Sequence, residues 1–169
     1  MSPEQGKIFL NFFVGGIEQE SQTTRKVIAS VPDDKKGYRP SEKSMTAHEL
    51  AWHIPESEIW FLKSVADGAF AMPDGNAPKP ETIGDILNWY EKNLGEQMAR
   101  LKALPAESLV KTLPFFGMEQ PAVMYLTFLT HHSVHHRGQL SAYLRPMGAK
   151  VPSIYGGSAD EPFQAGASA

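Results

Sequence analysis

The segment "LTHHSVHHRGQLSAYL", Leu129 to Leu144, carries four of the chain's six histidines. Neutral imidazole is the commonest protein ligand for transition metals, and it titrates close to neutral pH. The four fall into two pairs spaced four apart, His131 with His135 and His132 with His136. On a helix each residue advances by about 100°, so partners four apart share a face and the two pairs diverge. With Tyr125 as reference, Leu129, His132, His136, Leu140 and Tyr143 fall within about 60° and form a continuous stripe. His132 and His136 are therefore expected to point into the fold, while His131 and His135 lie on a flank with Met124, Gly138 and Ala142.

A second helical stretch supplies another histidine. Leu50, Ile54, Ser57, Phe61 and Val65 mark its buried face, with His53, Trp60 and Ser64 along one edge and His48 turned toward solvent. An inward imidazole from one helix and an i, i+4 pair from another can bring three nitrogens into one volume, a facial metal site with positions left open. The same spacing also suits core histidines that hydrogen-bond to their neighbours. Glu20 falls on the buried stripe of the first helix, where it either orients a ligand histidine or reaches solvent. Tyr90 and Tyr143 face inward, either as hydroxyl contacts for a substrate or thiol, or as core residues with one satisfied polar tip.

Four helices must position these side chains. The first runs from Ser2, an N-cap followed by Pro3, to near Ser30, with Phe9, Phe13, Ile17, Thr24 and Val27 on one face. Gly15 and Gly16 weaken it locally. The second opens at Thr46 and Glu49, a capping box, and reaches about Asp67. Pro55 inside it removes one backbone hydrogen bond and should kink the axis beside His53. The stretch "DGAFAMPDGNAPKP" is turn material, and Thr82 begins a third helix with the stripe Ile83, Leu87, Tyr90, Leu94, Met98 and Leu101, stopped by Pro105. Pro114 and Gly117 break the next segment into an irregular connection with a short extended piece around Leu109 to Leu113. The fourth helix begins near Pro121 and ends at "RPMG". Residues 1–163 are thus expected to form one all-α four-helix bundle with an irregular C-terminal tail, and residues 164–169 a frayed end.

Composition narrows the classes of function. Sixteen basic and nineteen acidic residues give a formal charge of −3, and the basic ones are scattered, which argues against a nucleic-acid partner. No stretch approaches the ~20 apolar residues of a membrane span, so a cytoplasmic protein is expected. The chain has no cysteine, so disulfides, thiolate ligands and a cysteine nucleophile are excluded. Any thiol chemistry needs a thiol from outside.

The run "HHSVHHRGQLSAYLRPMGAKVPSIYGGSADEP" resembles the C-terminal signature of the DinB superfamily, four-helix bundles similar to bacillithiol and mycothiol transferases. The His-x-x-x-His-Arg-Gly-Gln motif stands here as His132, His136, Arg137, Gly138 and Gln139, and "LAWHI" places His53 at the family's first ligand position. The resemblance implies a divalent metal, commonly nickel or zinc, on His53, His132 and His136. It also implies a homodimer, for which the Gly138 and Ala142 flank offers a close-packing surface. The expected activity is an S-transferase joining a low-molecular-weight thiol to an electrophilic small molecule. The alternatives are a metal-dependent hydrolase and a non-catalytic metal or small-molecule binding bundle.

Overall fold

Each long helix starts where a side chain can satisfy its orphan N–H groups. In the computed structural model, which describes residues 1–72 and 79–163, α1 (Pro3–Ala29), α2 (Ala47–Asp67) and α3 (Ile83–Lys102) all open with reciprocal capping boxes. The pairs are Ser2 with Gln5, Thr46 with Glu49 and Thr82 with Asp85, each contributing about 1 kcal/mol. α2 closes on Gly68, whose φ of 70° gives a left-handed cap. α1 passes unbroken through the exposed Gly15 and Gly16, and α2 passes unbroken through the buried Pro55. A short α4 (Ala106–Val110) precedes α5 (Tyr125–Leu144). The expected frayed end at 164–169 and part of the expected turn before Thr82 lie outside the described residues.

The connection after α3 departs from the expectation of an irregular loop. Two strands, β1 (Thr112–Phe115) and β2 (Met118–Pro121), pair antiparallel, with Phe115 opposite Met118 and Thr112 opposite Pro121. Only Phe116 and Gly117 link them, with φ values of 45° and 80°. Positive φ at both positions is the type I′ form of a two-residue hairpin loop, so Phe116 occupies a conformation that favours glycine. Pro114 can sit in β1 because each strand of a two-stranded ribbon has a free edge, where a missing N–H costs no ladder bond.

Helices α1, α3, α2 and α5 pack around a ring in that order, leaving α1 and α2 on one diagonal and α3 and α5 on the other. Two apolar clusters fill the bundle. One gathers Leu10, Ile17, Leu62, Leu94, Leu101 and Leu129; the other gathers Val27, Ile28, Leu50, Ile54, Ile86 and Leu144. The first holds the N-terminal half of α1 and α5 with the C-terminal half of α2 and α3, so α1 and α5 run one way and α2 and α3 the other. Gly68, at the end of α2, and Thr82, at the start of α3, therefore stand at opposite ends of the bundle. α4 lies against α1 at Gly6, where a Cβ would meet Val110 Cγ1 at 2.8 Å. The buried stripe of α1 is Leu10, Val14, Ile17, Ser21, Thr24 and Ile28, which leaves the expected Phe9 exposed and Phe13 half-buried.

Between the two clusters lies a polar layer. α1 contributes Glu20, Ser21 and Thr24; α2 contributes His53, Ser57 and Glu58; α3 contributes Tyr90; α5 contributes His132, Ser133, His136 and Arg137. Arg137 is 1% exposed, and its guanidinium donates to the Glu20 carbonyl at 3.1 Å, to Thr24 Oγ1 at 3.3 Å and to Glu20 Oε2 at 2.5 Å. Tyr155 of the C-terminal tail accepts from Arg137 and donates to Glu20 Oε2 at 2.7 Å. The tail is further pinned by Asp160, which accepts from Arg145 and from the Val151 N–H, both at 2.9 Å. Replacing Tyr155 with Phe removes both hydroxyl bonds to charged groups and is expected to cost about 1–2 kcal/mol in urea unfolding, with faster proteolysis after Met147. An unchanged unfolding midpoint would show that the tail is not held through this hydroxyl.

Candidate metal centre

His53 and the His132/His136 pair meet at the seam where α2 packs on α5. One ligand atom from each lies within 4.8 Å of the others, and all three side chains are half-buried. The ring centroids are 4.8 Å apart for His53 and His132, 4.6 Å for His53 and His136, and 4.4 Å for His132 and His136. Helical phase thus selected the three histidines that the fold brings together. It placed their direction less well. The buried residues of α5 are Tyr125, Leu126, Leu129, Ser133, Arg137, Leu140 and Leu144, and the histidine pair stands roughly 70° from the centre of that stripe. His132 and His136 face a neighbouring helix at the rim of the core, because the core direction is taken by Arg137.

His131 and His135 are exposed, as are Gly138 and Ala142. His48, expected toward solvent, is half-buried with its Nε2 enclosed and without a partner. Glu20, a candidate partner for a ligand histidine, is engaged by Arg137 and Tyr155 instead. Tyr143 lies along the seam and lines a cavity of about 260 Å³ together with His136, Gln139 and Lys43. Tyr90 stands apart from that cavity, fully buried, with its hydroxyl donating to Glu58.

Two groups carry roles that the sequence did not assign to them. Glu58 is 1% exposed, and burial raises its carboxyl above the usual range, against the lowering effect of the Tyr90 hydroxyl. Its phase was legible: Leu50, Ile54, Glu58, Phe61 and Val65 continue one helical stripe. Gln139 is the other. Its Oε1 lies 2.7 Å from His136 Nδ1, and because the amide oxygen can only accept, Nδ1 carries the proton and Nε2 keeps its lone pair. Ser57 Oγ stands 3.4 Å from His53 Nδ1, a longer contact in which the hydroxyl can either donate or accept.

The donor set suits a divalent cation. His53 Nε2 and His132 Nε2 lie 3.1 Å apart. Two imidazoles on one ion with bonds of about 2.0–2.1 Å would place their nitrogens about 2.9 Å apart at a right angle and about 3.3 Å apart in a tetrahedron. The observed spacing lies between the two. His132 Nδ1 is buried without a partner. Burial, reinforced by the neighbouring histidines, lowers the pKa of His132 to about 4. Burial likewise lowers those of His53, with help from His136, and of His136, against the opposing pull of Gln139. The three rings are thereby held neutral, the form a metal requires.

The same shifts fix the pH response of the metal-free protein. Below the unfolded value of 6.5, the unfolded chain takes up protons that the folded site resists, so folding is weakened as pH falls from there toward about 4. Glu58 acts in the opposite sense: its raised pKa contributes stability at acid pH, which is lost as pH rises through the folded value. The urea midpoint of metal-free protein should drop between pH 6.5 and pH 4, and His132→Gln should flatten part of that drop. A midpoint equally steep in both proteins would contradict this origin.

Residues 9–165 match the sequence pattern of the DinB family. The Bacillus subtilis protein YrdA is 29% identical over 153 residues, covering 90% of this chain and 91% of YrdA. YjoA from the same organism is 30% identical over 142 residues, covering 82% of this chain and 90% of YjoA. The crystal structure of a DinB-like protein from Bacillus cereus superposes with a TM-score of 0.73 at 26% identity, covering 85% of this chain and 95% of that one. The crystal structure of YjoA gives a TM-score of 0.69 at 24% identity, again over 85% of this chain and 96% of its own, and supports the fold.

Proposed function

This chain belongs to the DinB family, and from that premise we propose that it is a divalent-metal-dependent S-transferase joining a low-molecular-weight thiol to an electrophilic small molecule. The observation that carries the reading is the convergence of three neutral imidazoles, His53, His132 and His136, beside an open cavity. Nickel or zinc is the proposed metal, since imidazole suits both. A divalent ion held there supplies a positive charge that lets a thiol lose its proton near neutral pH.

The chain's own residues prepare the site. Gln139 fixes the His136 tautomer, Ser57 Oγ stands beside His53 Nδ1, and Arg137 anchors α5 to α1 from behind. Tyr143, in the cavity wall, is the proposed hydroxyl contact for substrate or thiol. Because the chain has no cysteine, the sulfur must arrive with the co-substrate. Among the described residues no helix is long and apolar enough to cross a membrane, which agrees with a small-molecule substrate taken from solution.

The test is conjugation of a panel of small thiols to 1-chloro-2,4-dinitrobenzene by nickel- or zinc-loaded protein, with metal content measured on the same samples. The reading expects thiol-dependent product and about one metal per chain. His132→Ala should lower both by at least about tenfold while His131→Ala leaves them unchanged. Product from an ester substrate without thiol would point to hydrolysis. Equal behaviour of the two variants, or no conjugation with any thiol, would remove the transferase reading.

A further inference from the structure

The cavity beside His136 has a one-sided charge. Its seven lining residues are Lys43, Ser44, Met45, Leu50, His136, Gln139 and Tyr143, with no carboxylate among them. Lys43 is exposed and takes part in none of the ion pairs formed among the described residues. It lies in the connection between α1 and α2, which is tied to the start of α2 by backbone bonds from Ala47 to Tyr38 at 2.8 Å and from His48 to Lys36 at 2.9 Å. Ser41 and Ser44 bracket it through a 2.9 Å hydroxyl pair. The lysine therefore projects from an anchored turn, not from a free loop. The Tyr143 ring packs edge-on against Tyr38 at 5.7 Å, and Met45 and Leu50 also line the cavity.

A ligand that fills this space meets the Lys43 cation, the polar groups of Ser44, Gln139 and Tyr143, the apolar side chains of Met45 and Leu50, and the edge of the histidine cluster at His136. That pattern is complementary to a short carbon skeleton with an anionic group at one end and a metal-seeking atom at the other. Resting on the transferase reading, we propose that the cavity receives the carboxylate-bearing end of the thiol co-substrate, and that Lys43 is the residue selecting an anionic thiol over a neutral one. The cation is partly solvated, so the selectivity is modest. A single exposed ion pair gives about fivefold, and an added hydroxyl bond from Tyr143 brings it to about tenfold.

The experiment measures binding to the metal-loaded protein of 3-mercaptopropionate, 2-mercaptoethanol and 3-hydroxypropionate. Titration calorimetry gives affinity, and the NMR signal of a labelled Met45 methyl reports on the cavity. The proposal expects 3-mercaptopropionate to bind about five- to tenfold more tightly than 2-mercaptoethanol and to shift the Met45 methyl. Lys43→Ala should abolish that preference and Lys43→Arg should keep it. Lys43 is exposed, so these variants should fold normally. Equal binding of the two thiols, or a preference that survives in Lys43→Ala, overturns the Lys43 subsite and leaves thiol binding intact. If neither thiol binds but 3-hydroxypropionate shifts Met45 in a Lys43-dependent way, the anion cavity stands and the transferase reading falls. If no ligand binds or shifts Met45, both fall.

Discussion

A guanidinium buried in the middle of an apolar bundle is stable only when nearly every donor finds an acceptor, and Arg137 imposes that condition here. At 1% exposure it would cost several kcal/mol unpaired. Glu20, Thr24 and the Tyr155 hydroxyl meet the demand from α1 and from the tail. The solution fixes the rotation of α5 about its own axis. With Arg137 directed at α1, the preceding His136 and the i−5 His132 are turned toward α2, where His53 waits. The ion pair and the histidine cluster are two faces of one helical phase.

The polar layer divides the work between its two sides. On the α1 side, charges are paired and the tail closes over them. On the α2 side, uncharged rings face each other across 3.1 Å with little to hold them apart except the packing around them. A 3.1 Å contact between two imidazole nitrogens holds when one neutral ring carries its proton on Nε2 and donates it to the other, or when a cation takes the place of that proton; burial keeps both rings neutral in either case. Three rings grouped this closely could hold a metal ion. The apolar clusters above and below the layer supply the packing that holds the three rings together.

Much of this was legible in the sequence for definite reasons. Ser2, Thr46 and Thr82 announced helix starts because capping chemistry is local. His53, His132 and His136 were separable from His48, His131 and His135 because helical phase is local too. What was not legible depended on partners distant in the chain. Arg137 and Glu20 are 117 positions apart, and nothing near either one signals the pairing that sets the core direction of α5. Glu58 could have been found on its own stripe, but its partner Tyr90 is on another helix. The β1–β2 hairpin was masked by Pro114 and by Phe116, a bulky residue at a positive φ that turn chemistry assigns to glycine or asparagine.

X-ray absorption on zinc-loaded protein tests the central claim most directly, because it reads the atoms around the ion without reference to any activity. The account predicts three imidazole nitrogens at about 2.0–2.1 Å in the wild-type chain, with one fewer in His53→Ala and no change in His135→Ala. A first shell made only of oxygen, or one that His53→Ala leaves intact, would contradict it.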